Sequence, residues 1–318
     1  MAASDRTITV QDGANADGRL SQGDTLLVRN TAGQEVSRKT LTADDIYAMR
    51  FRENMLKNAG SIGAGWEFTE KLVSIKGAQL AQPETRQYTD SNGARGTEKV
   101  VERNNFWEVV ERGSNRFLVM RNTDNAGKPV LASDAINDVF TNRKNYAFDC
   151  ASPMPLMNLK STLDTIGKDD FNRNAGQLLI SSWYDQYDTS RFDGGYLTNV
   201  RTAAAGEITV NGKANLAGET AKFDPAKGDK LIPGNTYYFD LPGDTTTAEQ
   251  GWNAVYMGQK ADGSHEFWSN SVGLLSVTFD GKDFTTTGRL AGYYLGAVVA
   301  DPNVARIKDW DDDASVVR

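Results

Sequence analysis

Cys150 is the only cysteine among 318 residues, so no internal disulfide can staple this chain and its fold must rest on a buried core. One cysteine and one histidine, His265, also make no Cys/His metal site, and neither a metal nor a cofactor is expected. Two uses remain for the thiol: apolar packing or nucleophilic chemistry. After it, Leu156, Leu159, Leu163 and Ile166 recur at spacings of three and four, one face of a helix that Gly167 would stop. Pro153 suits a first turn, where its missing N–H has no partner to lose, and Pro155 delays the start by a residue or two. Cys150 therefore stands at or just before a helix start. Unpaired N–H groups and the helix dipole favour a thiolate there, while Asp149 opposes ionisation unless it is paired or turned away.

Composition narrows the partners. Forty-two acidic against 35 basic residues leave a formal charge of −7, which is no footprint for nucleic acid or for an anionic membrane. No run of about 18 apolar residues is present to span a bilayer. Residues 1–11 are polar where a signal peptide needs an apolar centre. A soluble chain is expected, cytoplasmic ahead of secreted, although one thiol suits either compartment.

Strand-like runs open the chain at 6–10 and 24–29, followed by a helix from Thr42 to Gly60 whose Thr42 and Asp45 have the spacing of a capping box. Polar residues 83–99 read as a long loop. A hairpin follows at 106–110 and 116–120, then a short helix 134–140 capped by Ser133. Beyond Gly167, strands are expected at 177–183, 236–241, 254–257, 266–268 and 273–279, with 293–300 either strand or helix. Residues 309–313, Asp-Trp-Asp-Asp-Asp, read as a solvated acidic tail. The fold class is α+β: a helix carrying Cys150 packed on a mainly antiparallel sheet. Three parts are expected, a strand-rich extension (1–40), a main domain (41–300) and the tail (301–318).

Tyr146-Ala147-Phe148-Asp149-Cys150-Ala151, then residues 163–172 (Leu-Asp-Thr-Ile-Gly-Lys-Asp-Asp-Phe-Asn) and Leu178-Leu179-Ile180 before Trp183-Tyr184, resemble the Bacillus spore-coat type of protein-glutamine gamma-glutamyltransferase, a bacterial transglutaminase. The resemblance covers roughly residues 43–279. It implies a papain-like fold related to peptidoglycan hydrolases, and protein substrates with exposed glutamine and lysine. A cysteine attacks the glutamine amide, ammonia leaves, and a lysine amine resolves the thioester as an isopeptide crosslink. Cys150 falls on the nucleophile, and Asp149 stands where the family has Glu. Trp252, in Gly251-Trp252-Asn253, occupies the position of the family's catalytic Glu, and Asn270 that of its His.

A substitute base must come within hydrogen-bond reach of the sulfur. Glu249, in a loop that can bend back, is the leading candidate, ahead of Asp149 and His265. Glu266 and His265 lie too far along their strand from Asn270. Each has a plainer reading, as a surface acid or a turn residue. Asn270, Trp252 and Trp268 are candidate substrate-binding residues: Asn270 as a donor to an oxyanion, the two tryptophans as cleft walls or core. Three functions stand side by side: the acyltransferase, a glutamine deamidase in which water resolves the thioester, and a catalytically silent binding or structural protein that kept the fold. A cysteine protease is disfavoured because no His is suitably placed.

Overall fold

The structure is a computed structural model and describes residues 6–13, 18–89, 95–180, 200–202, 209–210, 213–214, 231–240, 251–281, 284–287, 294–300 and 305–307. The chain opens with an antiparallel sheet of β1 (Arg6–Gln11), β2 (Thr25–Asn30) and β3 (Glu35–Thr40). Helix α1 (Ala43–Ser61) then starts on the capping box read in the sequence: Asp45 N–H donates to Thr42 Oγ1 and Thr42 N–H to Asp45 Oδ2.

Strands β4 (Glu67–Phe68) and β5 (Val73–Ile75) come next, then β6 (Gln79–Thr89), β7 (Arg95–Arg103), β8 (Trp107–Arg112) and β9 (Asn115–Met120). The hairpin of β6 and β7 replaces the loop expected over 83–99. Its alternation is polar, and cross-strand pairs hold it: Arg86 faces Glu98 and Gln87 faces Thr97. Helix α2 (Ala132–Thr141) has its N-cap at Leu131 rather than Ser133. Ser133 lies inside the first turn, its N–H donating to Asn172 Oδ1.

Strand β10 (Tyr146–Phe148) leads through Cys150 into α3 (Pro153–Ile166), closed by Gly167 at φ 84°. The helix starts at Pro153 and Pro155 does not delay it, because the N–H that it lacks would have been one of the four donors that a helix start leaves unpaired. Helix α4 (Lys168–Asn174) and β11 (Leu179–Ile180) follow, the latter joining the five-stranded sheet β11-β9-β8-β7-β6. Short strands β12 (Val200–Thr202), β13 (Thr209–Val210) and β14 (Lys213–Ala214) precede a closed antiparallel barrel. The barrel runs through β15 (Thr236–Asp240), β16 (Gly251–Gln259), β17 (His265–Ser269), β18 (Gly273–Phe279), β19 (Phe284–Thr287) and β20 (Tyr294–Ala300). Residues 294–300 are thus strand, and β21 (Ala305–Ile307) pairs back to β12. The acidic residues 309–313 lie outside the described residues.

The architecture is α+β, and among the described residues the strands pair antiparallel except β10 beside β4. One core joins α1 (Tyr47, Met55), α3 (Met154, Leu156), the sheet (Trp107, Leu118) and the barrel (Phe267, Val277). A polar seam crosses the contact of α1 with α3, where Asn58 Nδ2 donates to Ser161 Oγ at 3.3 Å and Asp164 Oδ2 at 3.0 Å. That seam fixes how the Cys150 helix is seated.

Candidate active site

Strand β10 is pinned from both sides. Phe148 O accepts Thr69 N–H at 3.0 Å, and Asp149 N–H donates to Leu72 O at 2.9 Å. The carboxylate of Asp149 turns forward, its Oδ1 accepting Ser152 N–H at 2.7 Å and Ala151 N–H at 3.3 Å. These are the donors that a helix start would otherwise offer to a thiolate. Asp149 has taken them, and its own charge lies beside the sulfur.

Cys150 is half-buried, and its thiol is pushed up to about 12, first by desolvation and second by Asp149. The expected lowering is therefore reversed. Its own backbone and the side chain of Asn253 act the other way and are outweighed.

Asn270 serves the backbone. Its Oδ1 accepts Trp66 N–H at 2.9 Å, and its Nδ2 makes a long 3.4 Å contact with Asp149 O and a 3.3 Å one with Ser271 Oγ. The fit is close enough that a Cβ on Gly65, at φ 78°, would lie 2.5 Å from Asn270 Oδ1. Among the described residues, Leu72 (φ 70°) and Ser271 (φ 66°) are the two non-glycine residues in the left-handed region, each at a cost on the order of 1–2 kcal/mol. Both belong to this clamp, since Leu72 O holds Asp149 N–H and Ser271 follows Asn270.

The other sequence candidates fare differently. Trp268 is fully enclosed and packs as core, its indole N–H donating to Gly63 O at 2.6 Å. Asn270, expected to donate to an oxyanion, instead has its amide engaged by backbone. Glu249 lies outside the described residues, and of Trp252 only the backbone is described, in β16 opposite Phe239. His265 bonds Tyr256 Oη at 2.9 Å through Nδ1 and sits six residues along β16 from the level of Asn253, roughly 20 Å at the strand rise. Glu266 pairs with Lys260 at 2.8 Å. Asn253 is the residue the sequence reading passed over. It lay within the resemblance, in Gly251-Trp252-Asn253, with no chemistry attached. Among the described residues no cluster of three His, Cys, Asp or Glu could hold a metal, and no helix is long and apolar enough to cross a membrane.

Fold and site together define a protein with a single thiol at the head of a buried helix, set against the outside of an antiparallel barrel and held by a backbone clamp. The chain matches the family model of protein-glutamine gamma-glutamyltransferase over residues 4–278, and it belongs to that family. The match reaches back past residue 43 to include the first three strands. The protein-glutamine gamma-glutamyltransferase of Bacillus pumilus (strain SAFR-032) is 25% identical over 174 residues, 54% of this chain and 52% of the relative. That of Bacillus cereus (strain B4264) is 30% identical over 145 residues, 45% and 39% of the two chains. The chain thus spans about half the length of the first relative and less of the second. A solved transglutaminase from Geobacillus stearothermophilus, without its C-terminal extension, aligns over 86% of this chain and 94% of its own at 19% identity, with a TM-score of 0.45.

Proposed function

We propose that this chain is a cysteine acyltransferase acting on glutamine side chains, with Cys150 as nucleophile. The observation that carries the reading is the half-buried thiol at the head of α3, in a member of this family. The sulfur attacks the carboxamide carbon, the C–N bond breaks, and the thiol proton leaves with the nitrogen as ammonia. A lysine amine of a second protein then displaces the sulfur to give the isopeptide. Glu249 is the proposed base. It precedes β16 by two residues in the sequence. Asp149 has a positioning part, since its carboxylate braces the turn from Cys150 to Pro153. The partners are proteins with exposed glutamine and lysine.

Ammonia release from a glutamine-rich protein such as casein tests this reading. Release is expected from wild type, lost in Cys150→Ala and reduced in Glu249→Gln; release unchanged in Cys150→Ala refutes it. Isopeptide in the products identifies crosslinking, and glutamate in place of glutamine identifies a deamidase.

The upward-shifted thiol and the backbone commitment of Asn270 favour a second reading, a silent binding protein on the same fold. It requires that wild type release no ammonia and that iodoacetamide alkylate Cys150 slowly near neutral pH.

A further inference from the structure

The two edges of the first sheet differ in how they resist further pairing. Every residue of β3 is exposed; its charges, Glu35, Arg38 and Lys39, and a bulge at Val36 blunt that side. At the other edge, Thr7-Ile8-Thr9-Val10 of β1 carries no charge, no proline and no bulge, and among the described residues the strand pairs with β2 alone. Ile8 is 67% and Val10 50% exposed, and Thr7, Thr9 and Gln11 on the opposite face are exposed too. The strand is no loose arm. Just past its end, buried Asp24 accepts Gly13 N–H at 2.8 Å and Ser21 N–H at 2.7 Å. Leu26 of β2 packs on Leu41 and on Ile46 of α1, so the edge has little freedom left to lose on binding.

We propose that this edge is an interaction surface for a second copy of the chain, the two β1 strands pairing antiparallel about a twofold axis at Thr9. Along an antiparallel strand, alternate residues turn N–H and C=O to the same side, so β1 gives one set to β2 and the other set outward. Twofold pairing joins outward residues to outward residues, which allows registers centred on a residue and forbids those centred between two. Centred on Ile8, the pairing sets Arg6 against Val10 of the second copy. Centred on Thr9, it sets Ile8 against Val10, Thr7 against Gln11, and Arg6 against Asp12 just beyond the strand. Ile8 lies beside Val28 and Val10 beside Leu26, all on one face. The apolar row therefore continues across the joint as Val28, Ile8, then Val10 and Leu26 of the second copy. The strand is complementary to itself in backbone, face and charge, as an isologous contact requires. This contact does not depend on the acyl-transfer reading.

The test is sedimentation equilibrium of the full 34.8 kDa chain across a wide range of concentration, at low ionic strength so that the charge pairs count. One strand pair buries less than a standard interface, so a monomer–dimer equilibrium with a Kd on the order of 10–100 μM is expected. Thr9→Lys, at an exposed position, sets like charges opposite each other on the axis and should raise Kd about fivefold or more. Arg6→Asp should raise it about threefold or more, and adding Asp12→Arg should return it to the wild-type value, because the swap restores both pairs. A monomer at every concentration leaves the edge to water or to a different chain and overturns the inference. Growth past the dimer means that β1 joins β3 of the next copy in an open-ended array, which overturns it as well. A dimer indifferent to Thr9→Lys lies on another surface, and one weakened by Arg6→Asp without rescue by the swap lacks this register; either result refutes the proposal.

Discussion

Cys150 holds its proton far more tightly than its place before a helix suggests. Desolvation leads, and the Asp149 charge adds to it. At pH 7 a thiol at about 12 is ionised to about one part in 10⁵. Alkylation by iodoacetamide, followed by mass spectrometry, should therefore rise close to tenfold per pH unit from 7 to 10; a plateau above the ordinary thiol value of about 8.5 would show an activated sulfur instead. The same shift is a stability statement. The unfolded thiol ionises first, so folding stability falls as pH climbs past about 8.5 toward 12, and Cys150→Ser should lack that loss. Asn270 acts on a different group. Replacing it by alanine orphans the buried Trp66 N–H and frees Asp149 O, for an expected loss of about 2 kcal/mol in urea unfolding. The sequence marked both residues, yet it could not indicate that Asn270 would turn to backbone, because its partners Trp66 and Asp149 are remote in the chain.

At the scale of elements, local signals and long-range ones part company. Helix α1 was legible to its cap, and α3 to its closing glycine, because a capping box and a positive-φ stop are local chemistry. The β6–β7 hairpin was not, since its strands alternate polar residues and its stabilising pairs form only once the strands meet. Glu98 sits at the centre, its side chain 3% exposed, accepting Arg86 Nε and Arg112 Nε at 2.7 Å each. Glu98→Ala strands the mostly buried Arg112 guanidinium and should cost about 3 kcal/mol. Arg86 adds less, being more exposed and also paired with Glu108 at 2.7 Å. Glu111→Ala, at the more exposed pair with Arg116, should cost under about 1 kcal/mol in the same urea titration.

For the whole molecule, the barrel is what brings the site together. Its interior is aromatic, with Tyr237, Phe239, Phe267 and Phe284 fully buried and in edge contact. Its strand β17 runs into Asn270, which reaches back to Trp66 and Asp149. His265 reports on the barrel's other end, beside Tyr256 and Phe284, and burial holds its pKa below the ordinary value. The unfolded chain therefore binds a proton that the folded one resists. Stability is full above about pH 6.5 and declines as pH falls through that value, levelling off below the folded pKa. Thermal unfolding from pH 7 to 5 should show a drop in Tm for wild type that is smaller in His265→Phe; equal drops would place the acid sensitivity in carboxylates.

Read alone, the chain was enough to establish that no disulfide holds it, that a helix follows Cys150, that α and β elements share one core, and which family the residues around the thiol resemble. Periodicity, capping and turn chemistry are local, so a linear reading recovers them. Which side chains face the sulfur was decided only in three dimensions. A strand turns successive residues to opposite faces, so register across β15, β16 and β17 decides which side chains leave the barrel interior, and a shift of one residue would exchange the two sets. Asp149 likewise changes from a flanking charge to a brace for the helix start only because Leu72 and Asn270, from distant segments, close on its backbone.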